Sequence, residues 1–111
     1  MVKTDRLKLK LEKVLGKLER VGKYTSIYVG DKTYFIVWSW IPYIEVELLD
    51  KECEDPSWPA WGKMLKVGDD GKLRLEKGHP SLDGWVVDKV SSNEKDIENF
   101  LDFVEALLNH L

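Results

Sequence analysis

Apolar positions recur along this chain with two different periods, and the changes of period divide it into elements. From Thr4 to Val21, Leu7, Leu11, Val14, Leu15, Leu18 and Val21 fall at the three- and four-residue steps of one helical stripe. Leu9 falls off that stripe. Thr4 suits the N-cap, Asp5 suits the positive end of the helix dipole, and Gly22 stands where a C-terminal glycine is expected. At Tyr24 the period changes. The stretch Tyr24–Leu49 holds all four tyrosines, two of the five tryptophans and a nearly unbroken apolar run from Tyr34 to Ile41. Such a density of β-branched and aromatic residues predicts strand. Tyr24–Val29 and Thr33–Trp40 read as two strands joined by Gly30-Asp31-Lys32. The second does not alternate, which predicts a strand covered on both faces or one in the middle of a sheet. Pro42 cannot donate to a ladder, so Ile41-Pro42 marks a bend, bulge or strand start. From Tyr43 a third strand alternates cleanly: Ile44, Val46 and Leu48 face one way, Tyr43, Glu45, Glu47 and Leu49 the other.

The pattern then breaks. Asp50–Ala60 is acidic, contains Pro56 and Pro59, and has no periodicity, so it reads as an exposed loop. Lys63–Val67 and Lys72–Lys77 read as a second hairpin around Gly68-Asp69-Asp70-Gly71. A short helix from Pro59 to Leu65 capped by Ser57 is the alternative, and Gly62 weighs against it. Gly78-His79-Pro80 and Asp83-Gly84 form a turn-rich link, and Trp85–Val90 is the last strand. Ser91–Glu94 matches the S-x-x-E capping box and opens a C-terminal helix. Its apolar face carries Ile97, Phe100, Leu101, Val104, Leu107, Leu108 and Leu111, with Phe103 at the edge. The order predicts a single α+β domain over residues 1–111. Its antiparallel sheet has about five or six strands, a meander plus a hairpin, with an N-terminal and a C-terminal helix packed on it. This element order is similar to that of small dimeric secretion-chaperone-like domains, which also place helices at both ends of such a sheet.

Length and composition add bounds. A chain of 111 residues, 43% apolar and 33% charged, has the makings of one globular domain. No apolar run approaches the roughly 20 residues of a membrane span, and MVKTDRLKLK has no apolar core of a secretory signal, so a cytoplasmic location without membrane contact is expected. Cys53 is the sole cysteine, which excludes an intramolecular disulfide and a cysteine-built zinc site. Glutamine is absent and lysine and glutamate abound, a bias that resembles thermophile proteins.

The net charge of −3 conceals a segregation. Met1–Lys23 carries eight basic and three acidic residues, while Glu45–Pro56 and Asp88–Leu111 carry six acids each. Arg6, Lys10, Lys13, Lys17 and Arg20 recur at steps of four and three, forming a basic ridge on the first helix. Glu94, Glu98, Asp102 and Glu105 form an acidic ridge on the last. The ridges could pair within one chain or across an isologous homodimer. Otherwise the basic ridge is a solvated face, or it meets an acidic partner or nucleic acid.

Motifs for chemistry are missing. Neither a phosphate loop nor a dinucleotide fingerprint nor a nucleophile elbow is present, and no cofactor is implied. Cys53 stands among Glu52, Glu54 and Asp55, whose charge opposes thiolate formation. Glu45, Glu47 and Asp50 could hold a magnesium ion in a nuclease-like site, but an E-x-K triplet is missing. Glu45 and Glu47 read more simply as charges on the solvent face of an edge strand. His79 reads as structural, and His110 as a solvated helix-end residue. The expectation is a non-enzymatic protein-interaction or adaptor domain, self-associating, with Tyr43, Glu45, Glu47, Trp58 and Trp61 as the partner-binding surface. A nucleic-acid-binding accessory protein acting through Arg6, Lys10, Lys13, Lys17 and Arg20 is the alternative.

Overall fold

A computed structural model describes residues 3–49, 59–81 and 84–111. The first element, α1, spans Lys3–Val21 and starts one residue before the expected cap Thr4. Its leucine–valine stripe is buried from Leu7 to Leu18. Val21, the last residue of the stripe, is exposed because the helix ends there and the chain turns away at Gly22, whose φ is +103°. The Gly22 carbonyl accepts a 2.7 Å hydrogen bond from the indole N–H of Trp38, which ties the helix end to the sheet.

Six strands follow in one antiparallel meander, ordered as in the sequence: β1 Tyr24–Val29, β2 Lys32–Ser39, β3 Tyr43–Leu49, β4 Pro59–Val67, β5 Leu73–Ser81 and β6 Gly84–Ser91. The β1–β2 loop is two residues, with Gly30 at φ +63° in its first position as a twist-compatible hairpin turn requires. The segment 59–65 is strand, not helix. Gly78-His79-Pro80 is likewise strand: β5 runs on to Ser81, and the chain accommodates the irregular residues by a register shift after Lys77. Pro59 lies at the first residue of β4, where a missing N–H is tolerated. The described residues hold no counterpart to the acidic loop, since 50–58 lie outside them.

The chain closes with α2, Glu94–Leu108. Its N-cap is Asn93, whose side chain accepts from the N–H groups of Lys95 and Asp96 at 2.8 and 3.2 Å. Ser91, the expected cap, instead donates to the Asp96 carboxylate at 2.6 Å and accepts from the Asn93 N–H.

Both helices lie on one face of the sheet. Their apolar stripes share a core with Ile27, Ile36, Trp38, Ile44, Val46 and Leu65, all pointing to that side. The charged ridges meet within the chain. Arg6 pairs with Glu98 at 3.0 Å, Lys10 with Asp102 and Glu98, and Lys13 and Lys17 with Glu105, the latter at 2.8 Å. The pairs advance in the same direction along both helices, which therefore run side by side in parallel. No described helix lies over the opposite face of the sheet. None of the described helices is long and apolar enough to cross a membrane.

Candidate functional site

The site is built on β3. This strand pairs with β2 on one side and β4 on the other, so it is interior, and Glu45 and Glu47 are not edge-strand charges as the alternation suggested. Strand order cannot be read from alternation alone. Because Ile44, Val46 and Leu48 turn to the helices, the intervening Tyr43, Glu45 and Glu47 turn to the helix-free face.

Register fixes their neighbours, since residues directly opposite one another share a face. One row across the sheet reads Tyr24, Val37, Glu45, Met64, Glu76, Val90. The next reads Ser26, Phe35, Glu47, Gly62, Gly78, Val87. Two carboxylates thus stand in the middle of the sheet among apolar neighbours and glycines. Tyr24 stacks on Phe35 with ring centroids 6.4 Å apart. The continuous apolar run of β2 therefore serves both faces: Ile36 and Trp38 belong to the core, while Phe35 and Val37 are half-buried on the helix-free side. Tyr24 and Tyr28 are exposed, so the aromatic block is only partly core.

The electrostatics of the face follow from this placement. Tyr43 donates its hydroxyl to Glu45 Oε2 at 2.9 Å. Burial, then that hydrogen bond, then the charges of Glu45 and Glu47 push its ionisation up to about 12. Burial, reinforced by the charge of Glu45, also raises the Glu47 carboxyl above its ordinary value. The cations on this side are committed elsewhere: Lys66 pairs with Glu76, and Arg74 with Asp70 at 2.8 Å. Among the described residues, neither Glu45 nor Glu47 has a cationic partner.

Of the other residues expected at a site, Trp58, Asp50 and Cys53 lie outside the described residues, and Trp61 occupies β4 opposite Leu48. The structure adds Tyr24, Phe35 and Met64 to the neighbourhood. Their membership depends on register, and the uninterrupted apolar run of β2 hid the alternation that would have exposed it. The basic ridge is engaged with α2 through Arg6, Lys10, Lys13 and Lys17, and Arg20 is exposed in the last turn. His79 lies in β5 with Nδ1 2.5 Å from Asp88, and His110 is exposed beyond α2. Among the described residues no three His, Cys, Asp or Glu side chains converge as metal ligands would.

The arrangement suits the capture of cationic side chains. Two carboxylates two residues apart on one strand are spaced for alternate side chains of an extended segment, and the flanking rings and methionine suit the apolar stems of lysine or arginine. No family model matches this chain, and no curated protein or solved structure shows significant similarity to it, so the likeness to secretion-chaperone-like domains is one of element order.

Proposed function

We propose that this protein is a non-enzymatic interaction domain of the cytoplasm that holds a basic, extended polypeptide segment on the helix-free face of its sheet. One observation carries the reading: Glu45 and Glu47 are half-buried in the centre of that face with no cationic partner among the described residues. Leaving a carboxylate partly desolvated and unpaired is costly, and an incoming cation removes the cost. Tyr43 presents Glu45 through its hydrogen bond, and the Tyr24–Phe35 stack supplies apolar contact. Fluorescence anisotropy with a labelled peptide carrying arginine at alternate positions tests this. Saturable binding is expected, weakened roughly tenfold or more in the double variant Glu45→Gln, Glu47→Gln, as loss of charge-assisted hydrogen bonds implies. Absence of binding at low salt, or equal binding by the variant, overturns the reading.

Self-association through the same face is the second reading, favoured by the exposed rings of Tyr24 and Tyr28 on edge strand β1. A homodimer would bury them, but a two-fold axis near the centre would bring Glu45 and Glu47 against their own copies. Light scattering with small-angle X-ray scattering distinguishes the two: a strict monomer at high concentration eliminates the dimer. A nucleic-acid role for the basic ridge has less support, because phosphate would have to displace the carboxylates of α2 from Arg6, Lys10, Lys13 and Lys17.

A further inference from the structure

A groove of about 590 Å³ opens at the end of the sheet where the β2–β3 turn and the β4–β5 hairpin meet the first halves of α1 and α2. Its floor belongs to the core, since Leu7 and Leu11 of α1 and Ile97 of α2 are all buried. Half-buried Leu73 and exposed Val67 supply a wall from the hairpin, and Pro42 borders the groove from the neighbouring turn. Gly71 keeps it open: its φ is +79°, and nothing lies within 4 Å of the point a Cβ would occupy. The rim is charged. Lys8 and Lys72 are exposed, and neither forms an ion pair with any described residue. Asp70, two residues from Lys72, is paired with Arg74. Glu94 is the one carboxylate among the lining residues. Two ammonium groups against one carboxylate leave an excess of positive charge above an apolar floor.

We propose that this groove binds a dissolved single-chain amphiphile with an anionic head, of the class of a medium-chain fatty carboxylate. The hydrocarbon chain lies on Leu7, Leu11, Leu73 and Ile97 and removes that floor from water, which is where the affinity arises. The volume falls within the roughly 300–1,000 Å³ of small-molecule sites. Lys8 from α1 and Lys72 from the hairpin meet the carboxylate, their methylene stems lying along the apolar walls while their ammonium groups stay in water. A neutral head would leave both lysines unused, and a cationic head would find Glu94 alone to oppose two like charges. The groove lies on the helix side of the sheet, away from Glu45 and Glu47, and is independent of the basic-segment reading.

Titration of the full chain with octanoate and decanoate, followed by amide NMR shifts at Gly71, Leu73, Ser92 and Ile97, tests the proposal. Saturable shifts are expected, with affinity rising roughly fourfold per added methylene. Lys8→Gln and Lys72→Gln should each weaken decanoate about threefold and leave the neutral analogue decanol unchanged, as solvent-exposed ion pairs imply. Val67→Asp should weaken both ligands, and Lys32→Gln, exposed at the far end of β2, should change neither. All four positions are exposed, so the variants should keep the wild-type amide spectrum away from the groove. Shifts that never saturate, or an affinity independent of chain length, would overturn the site. Decylammonium binding as tightly as decanoate, or undiminished decanoate binding by both lysine variants, would overturn the anionic head. An apparent affinity that falls as protein concentration rises would seat a second copy in the groove. Stronger association with vesicles of phosphatidylcholine and phosphatidylglycerol than with dissolved decanoate would seat a membrane there. Either result would overturn the small-molecule assignment.

Discussion

At position 47 a proton and a sheet compete. Burial and the neighbouring Glu45 raise the Glu47 carboxyl, so the folded chain binds its proton more tightly than the unfolded chain does. For a raised carboxyl the contribution to stability is greatest below the ordinary carboxylate value and falls as pH rises through the folded value. Glu105 on α2 behaves oppositely. The hydrogen bond from Lys17, with the charge of Lys13, lowers its carboxyl, so its contribution is present at neutral pH and lost in acid. Glu47→Gln should therefore stabilise the protein at pH 7 by about 0.5 kcal/mol, and the gain should vanish near pH 4. Urea midpoints at the two pH values check this, and a loss at pH 7 would show that Glu47 is ion-paired in the native state. Trp38 supplies a second residue-scale prediction. It is 4% exposed and its indole donates to Gly22 at 2.7 Å, so Trp38→Phe leaves a carbonyl short of its partner and a gap beside α1. A loss of about 1–3 kcal/mol in chemical denaturation is expected.

Among the elements, the start of α2 separates what sequence can show from what it cannot. Ser91 and Glu94 satisfy the capping-box pattern, yet Asn93 is the residue whose side chain reaches the N–H groups of Lys95 and Asp96. Three of the four residues 91–94 are Ser or Asn, so the local pattern admits more than one cap, and the choice depends on where β6 releases the chain. Asn93→Ala should cost about 1 kcal/mol, and Ser91→Ala less, since Ser91 donates to the half-buried Asp96 carboxylate and satisfies none of the N–H groups of the helix itself. Equal costs in thermal unfolding would return the cap to Ser91. The same logic sorts the other elements. Helical stripes and the hairpins at Gly30 and Gly68–Gly71 were legible because each depends on a few adjacent residues. The true extents of β4 and β5 were hidden by Pro59, Gly62, Gly78 and Pro80, residues that end strands locally but are accommodated at a strand start and a register shift. Interior placement of β3 and the bare face around Glu45 were illegible for a stronger reason: each is a property of register between strands, and no single segment contains it.

For the whole molecule the decisive fact is that the two ends of the chain meet. A six-stranded meander is joined only between sequence neighbours, and nothing in its own ladder links β1 to β6. The helices supply that closure, α1 and α2 pairing through Arg6–Glu98, Lys10–Asp102 and Lys17–Glu105 over a common core. The ion pairs themselves are exposed or half-exposed and contribute little; they set register, while the apolar stripes supply the free energy. The opposed charges of Arg6, Lys10, Lys13 and Lys17 and of Glu98, Asp102 and Glu105 thereby meet within one chain. It follows that the sheet should not persist without α2, because removing residues 92–111 would bare Ile36, Ile44, Val46 and Leu65 and strip one side of α1. Loss of the near-ultraviolet signal of Trp38 and of any cooperative transition is expected for the truncated chain, with recovery when a synthetic α2 peptide is added in trans. A truncated chain that still unfolds cooperatively would show that the meander and α1 stand alone, and would recast α2 as a cover that a partner could lift. The outcome also bears on the bare face. If closure by α2 holds the sheet rigid, Glu45 and Glu47 keep their spacing before a partner arrives, and a basic segment binds a surface already shaped for it.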